Sequence, residues 1–287
     1  MKTNKFSTLL LVALFVIVTS AVAGPQHVPH GSDPPHPDDP HKNLAEAATN
    51  PMANLIQFQV QDTIGINHYE VTGASNTFVV QPVIPIKLPF KKVPTLITRT
   101  TVPYAWTQKD GKGDHHQGFG NIASLGFFNP KLPDPKQILG VGWALAIPLQ
   151  STDYTGSKKW SAGPSAVYIN LKKKGWQWGM LSWYLSSFAG SDKRSHQRNH
   201  HVSQIYIQPI LTKHFAKGWY MSLPDDPGTY NFATSNWSVP LGAALGRVFK
   251  LGKLPVKAFG ESYYSPWEDG SSKRWTIKMG ISFLFPE

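Results

Sequence analysis

An all-β fold, a transmembrane antiparallel up-and-down barrel of about twelve strands, is what three features of this 287-residue chain predict. The first is the C-terminal stretch 275–285, where Trp275, Ile277, Met279, Ile281, Phe283 and Phe285 share one register and Thr276, Lys278, Gly280 and Ser282 the other. Strand side chains alternate between faces, so this stretch has one apolar and one largely polar face. Its length suits a tilted strand crossing a bilayer, which needs about 9–11 residues. The second is that after Asn50 the hydrophobic period is two, with no helical periodicity. The third is that connections alternate between short, mostly basic turns and longer polar loops, as in a barrel with both termini on one side.

Taken in order, residues 1–23 carry Lys2 and Lys5, an apolar run from Leu9 to Val18, and Ala21-Val22-Ala23. A positive start, a short apolar core and a small-x-small site predict a secretory signal peptide cleaved near Ala23. Losing two lysines and no acid would lower the formal charge from +11 to +9. Residues 24–49 form a His/Pro-rich tether holding His27, His30, His36 and His41. Prolines keep these histidines apart, so the expectation is a solvated periplasmic segment, with a metal-collecting tether as the alternative. It ends in a short helix over 43–49, stopped by Pro51. There is no cysteine, hence no disulfide. No cofactor is expected. Basic residues scattered among turns, without a basic helical face, argue against nucleic acid.

The barrel itself is expected over residues 50–287, with strands at 55–66, 76–87, 94–103, 119–129, 137–148, 161–171, 175–187, 202–212, 217–231, 235–248, 255–264 and 273–285. The fifth alternates Leu139, Val141, Trp143, Leu145 and Ile147 with glycines and alanines. In the seventh, the apolar phase switches near Leu181. The ninth is interrupted by Leu223-Pro224-Asp225-Asp226-Pro227. Tryptophans fall at strand ends: Trp176, Trp178 and Trp219 at one end, Trp160, Trp237, Trp267 and Trp275 at the other. Such rings form the aromatic girdles of a membrane barrel, apolar in body and wet at the N–H.

A charge on the lipid face at mid-depth costs a few kcal/mol, so charges inside strands belong to the lumen. Arg99, Glu261 and Lys278 are the candidate channel-lining residues. They would set charge selectivity or tie the wall together as ion pairs. No catalytic residue is expected. The enzyme alternative is a lipid hydrolase using His201 and Ser203, two apart on one face, although no third group orients them. A binding alternative uses His115, His116, His196, His200 and His201 in outer loops, beside Lys193, Arg194 and Arg198, to meet metal or lipopolysaccharide phosphates.

Several motifs together carry a resemblance: Asn50-Pro51-Met52-Ala53-Asn54-Leu55-Ile56, Gln81-Pro82-Val83-Ile84-Pro85, Leu96-Ile97-Thr98-Arg99-Thr100, Gly118-Phe119-Gly120-Asn121 and the ending Phe283-Leu284-Phe285-Pro286-Glu287. Over residues 44–287 the chain resembles the bacterial outer-membrane family catalogued under MetA-pathway of phenol degradation, also labelled transporter or, misleadingly, neuromedin U. The resemblance implies a barrel that passes small molecules, hydrophobic or aromatic ones among them; with the export signal and the last strand, the expectation is a monomer in the outer membrane of a Gram-negative bacterium. It supplies no catalytic residues. The last strand also resembles the assembly signal read by the barrel-assembly machinery, although Pro286-Glu287 departs from a terminal aromatic. Outer-membrane lipids and lipopolysaccharide would be the remaining partners.

Overall fold

The computed structural model describes residues 40–69, 73–107, 113–191, 201–266 and 273–286. The signal peptide, most of the tether, Lys193, Arg194, His196, Arg198, His200 and Trp267 lie outside the described residues.

A helix, α1 (Pro40–Thr49), precedes the strands. These are β1 (Leu55–His68), β2 (Ser75–Lys87), β3 (Thr95–Trp106), β4 (Gln117–Phe119 continued by Ile122–Asn129), β5 (Gln137–Ile147) and β6 (Lys159–Asn170). They continue with β7 (Trp176–Gly190), β8 (Ser203–His214), β9 (Trp219–Ser222 and Gly228–Asn231), β10 (Asn236–Ser238 and Leu241–Leu251), β11 (Leu254–Tyr264) and β12 (Lys273–Pro286). Each pairs antiparallel with the next, and β12 closes on β1 with Leu55 opposite Pro286 and Ile66 opposite Trp275. The result is a closed barrel of 12 antiparallel strands. Closure leaves no open edge, the condition for a sheet to sit in hydrocarbon. The chain enters β1 and leaves β12 at the same end, called here the entry end; the opposite end is the loop end. The β8–β9 hairpin at the entry end turns on Lys217 (φ 58) and Gly218 (φ 76), and paired positive φ values match the strand twist in a tight hairpin.

Burial runs opposite to that of a soluble sandwich. Phe58, Ile84, Val141, Met180, Leu211 and Leu245 are exposed, while Gln57, Gln59, Gln61, Gln81, Gln177 and Ser282 are buried. The apolar register faces outward and the polar register lines the lumen, as a bilayer demands. Asp62 stands in the outward register, opposite Phe78 and Met279, and accepts a 2.6 Å hydrogen bond from Asn76 Nδ2.

The lumen wall is itself divided. Polar side chains dominate on β1, β2 and β8 to β12, whereas β3 to β7, beside polar groups such as Arg99 and Gln177, contribute an apolar sector of Ile97, Leu125, Phe127, Val167, Ile169 and Leu181. This sector explains the phase switch in β7. Its side chains alternate regularly, but Leu181 and Leu185 add apolar groups to the inner face, where Gln177 stands near the strand's start.

The entry end is stopped from within. Ala45 and Ala48 of α1 are buried against Leu55, Tyr220, Val248, Phe259 and Leu284. Leu284, the apolar residue in the otherwise polar register of β12, is there to meet the helix. The last helical carbonyls, left without intrahelical partners, are taken up by the wall. Lys257 Nζ donates to Ala48 O (3.2 Å) and Gln177 Nε2 to Thr49 O (3.1 Å). A cation at a helix C-terminus also complements the helix dipole. Thr49 Oγ1 lies 2.8 Å from His214 Nε2. Met52, just past the helix, packs onto the apolar sector.

Candidate functional site: a constricted lumen

Between the two pieces of β9 the chain leaves the wall. Leu223 N–H still donates to Leu211 O (3.1 Å), and pairing to β8 resumes with Gly228 opposite Ile207. The residues between, 224–227, turn into the lumen. Pro224 and Pro227 frame the excursion, and proline, lacking an N–H, forfeits no ladder donor by leaving the sheet.

Four groups of the wall hold this segment. The Asp226 carboxylate accepts from Lys278 Nζ at 2.9 Å and from the Tyr263 hydroxyl. Asp225 N–H donates to Glu261 Oε2 (3.1 Å), and Asp225 Oδ1 accepts from Gln208 Nε2 (2.6 Å). Glu261 and Lys278 are direct cross-strand partners with Nζ and Oε2 3.5 Å apart, both side chains almost wholly buried. Lys278 thus sits between a wall carboxylate and a segment carboxylate, a charge-assisted clamp.

The inward segment leaves two cavities. One of about 120 Å³ lies toward the entry end, against Ala48, Thr49 and Asn50. The other, about 320 Å³, lies toward the loop end. Gln81, Arg99, Gln208 and Asp225 line both and therefore mark the boundary between them. The larger volume falls within the roughly 300–1,000 Å³ of small-molecule sites.

All three charges chosen from the sequence reach this lumen: Arg99 at the boundary, Glu261 on the inner cavity and Lys278 on the outer one. Glu261 and Lys278 come together. Arg99 stands apart from them. Among the described residues it makes no ion pair, its buried Nε has no hydrogen-bond partner, and its guanidinium carbon lies 5.9 Å from the Trp183 ring centre. Trp183 in turn stacks on Tyr206, at 4.9 Å and 6°.

Sequence reasoning missed Asp225, Asp226, Lys257, Gln208 and Tyr263. Lys257 was available to the rule that found Arg99, since it too is a charge inside a strand. The acid pair read only as an interruption, because periodicity reports that a strand stops and not where the chain then goes.

The hydrolase pair is not assembled. His201 Nδ1 faces Ser187 Oγ (2.8 Å) and His201 Nε2 faces Ser186 Oγ (3.1 Å), while Ser203 Oγ meets the Tyr184 hydroxyl (2.9 Å). His201 lies just before β8, which begins at Ser203, and its ring reaches across to β7. Among the loop histidines that are described, His115, His116 and His201 do not converge either. His115 bonds Thr107 O through Nδ1 (2.8 Å) and His116 stacks face to face on Tyr154. Among the described residues no His, Asp and Glu group has metal-site geometry.

No protein-family model and no curated protein matches this chain. Among solved structures it is similar to an outer-membrane channel from Pseudomonas putida F1, with a TM-score of 0.63 and 12% identity, over 89% of this chain and 100% of that one. It is also similar to the outer membrane phospholipase A of Escherichia coli, with a TM-score of 0.45 and 13% identity, over 85% and 96% of the two chains. An active-site variant of that enzyme aligns with a TM-score of 0.46 and 12% identity, over 85% and 98%. The fold is that of an outer-membrane barrel. The resemblance is thus upheld for the barrel fold, while the MetA-pathway label finds no support.

Proposed function

We propose that this protein is an outer-membrane channel for small molecules, narrowed at two internal obstructions. The observation that carries the reading is the pair of cavities inside one closed barrel, meeting at the boundary set by Arg99, Gln81, Gln208 and Asp225. A barrel of about twelve strands is too wide to be filled by wall side chains alone. Here α1 and residues 224–227 take up the space that a wide pore would leave open. Likeness in fold to a bacterial outer-membrane channel supports the same reading. The apolar sector facing a polar one suits cargo that is partly hydrophobic, including aromatic molecules. The entry end would face the periplasm, with α1 closing that mouth until it moves. The last strand, paired on both edges and carrying the terminal aromatic register, would serve the assembly machinery, and the barrel would act as a monomer.

The test is single-channel conductance of refolded protein in planar bilayers, for residues 24–287 and for a form beginning near Asn50. Small, steady currents in the first and larger ones in the second are expected, because removing α1 frees the inner mouth. A folded barrel that passes no current in either form would refute the channel.

A further inference from the structure

Within that channel reading, we infer that Arg99 and Trp183 form a subsite for a small carboxylate with a flat, apolar body. Two of the lumen's other cations are committed to the protein. Lys278 lies between Asp226 and Glu261, and Lys257 donates to the helix carbonyl of Ala48. Arg99 makes no such bond among the described residues, although it stands at the boundary of both cavities. Asp225, the carboxylate at the same boundary, is engaged by Gln208. A guanidinium with no carboxylate in contact presents a fork that matches a carboxylate in two parallel hydrogen bonds.

The outer cavity shapes what that carboxylate is attached to. Above Arg99 its wall is Val79, Leu125, Ala144, Trp183 and Leu185, an apolar pocket wall with an aromatic plane. A ring stacked there buries apolar area and gains the offset or edge contacts that aromatic pairs favour. Across the two cavities Arg99, Lys257, Lys273 and Lys278 stand against Asp225, Asp226 and Glu261, so one positive charge is left in excess. An anion with a planar hydrophobic body satisfies both sides. A neutral ring leaves the guanidinium unanswered, and a bare anion leaves the apolar wall wet.

The experiment is calorimetric titration of the folded full-length barrel in detergent with benzoate, phenol and acetate, repeated on Arg99→Gln, Arg99→Lys and Trp183→Leu. Saturable benzoate binding is expected, stronger than that of phenol or acetate. It should weaken about tenfold or more in Arg99→Gln, by the loss of charge-assisted bonds, and less in Arg99→Lys, which keeps the charge without the fork. Trp183→Leu should erase the preference for benzoate over acetate while keeping weak anion binding, which a merely structural role for Trp183 would not produce. Equal binding of benzoate and phenol, or an unchanged benzoate affinity in Arg99→Gln, overturns the subsite. Should Arg99→Gln fail to give the heat-shifted band of a folded barrel, Arg99→Lys decides: unchanged affinity refutes the guanidinium fork, and weakened but benzoate-selective binding upholds it. Conductance of the same preparations keeps the two readings apart. Current without benzoate binding sinks the subsite alone, and benzoate binding without current sinks the channel alone.

Discussion

Replacing Lys278 by Met removes the cation at the centre of the lumen clamp, and the structure says how the loss divides. Lys278 Nζ lies 2.9 Å from Asp226 and 3.5 Å from Glu261, and its side chain is 3% exposed. Glu261 is 2% exposed and cannot turn to water; Asp226 is 32% exposed and can. Stranding one partner of a buried pair costs about 3–5 kcal/mol, and nearly all of that falls on Glu261. Adding Glu261→Gln to Lys278→Met removes the stranded charge, so the double variant should recover most of the loss. The interaction energy between the two sites should then be about 1–3 kcal/mol. Urea unfolding of the barrel in lipid vesicles, for the wild type, both single variants and the double, measures the cycle. Losses that simply add would refute the clamp, because independent sites add. A single variant as stable as the wild type would refute it as well.

Further expectations concern other parts of the molecule. Val141, exposed at the middle of β5 in the outward register, should cost about 2–4 kcal/mol when changed to Arg, the price of a lipid-facing charge near mid-depth; the same urea titration checks this, and a neutral effect would place Val141 on the lumen. Outside the membrane, Asp134 accepts hydrogen bonds from Lys172 Nζ and Lys136 N–H, both at 2.9 Å, and the Lys172 bond leads in holding its carboxyl below the ordinary range. A depressed folded value means that its stabilising effect is present above the unfolded pKa and fades as pH falls through the folded one. In Lys172→Ala the Asp134 carboxyl should titrate closer to the ordinary range, read by carboxyl NMR, and an unmoved titration would show that the ammonium does not hold it down.

What could be read from the sequence follows from what a bilayer imposes. Trp275, Ile277, Met279, Ile281 and Phe283 had to face lipid, so the period-two signal fixed both the strand and its inner face, and with it the side on which Lys278 and Glu261 stand. The same rule covers Arg99 in β3. It reaches its limit at Asp62, an acid in the outward register, which is accommodated only through Asn76 on the neighbouring strand; cross-strand partners depend on register, and register is invisible to a single strand's pattern. The segment holding Asp225 and Asp226 was legible as a break and illegible as a constriction, because its inward path is set by Lys278, Glu261, Gln208 and Tyr263 on strands distant in sequence. Likewise α1 was legible from its alanines and Pro51, yet its seat in the entry mouth depends on Leu284 and Lys257 from the far end of the chain.

The most direct test of the central claim, that residues 224–227 narrow an otherwise continuous passage, is the single-channel conductance of a variant in which these four residues are replaced by a three-residue Gly-Ser-Gly link, which runs in register past the three β8 positions between Leu211 and Ile207. With the clamp and the inward segment gone, the two cavities should merge, and conductance should rise severalfold over the wild type while the barrel keeps its heat-shifted band. A folded variant conducting no better than the wild type would contradict the account, because the resistance would then lie elsewhere in the barrel.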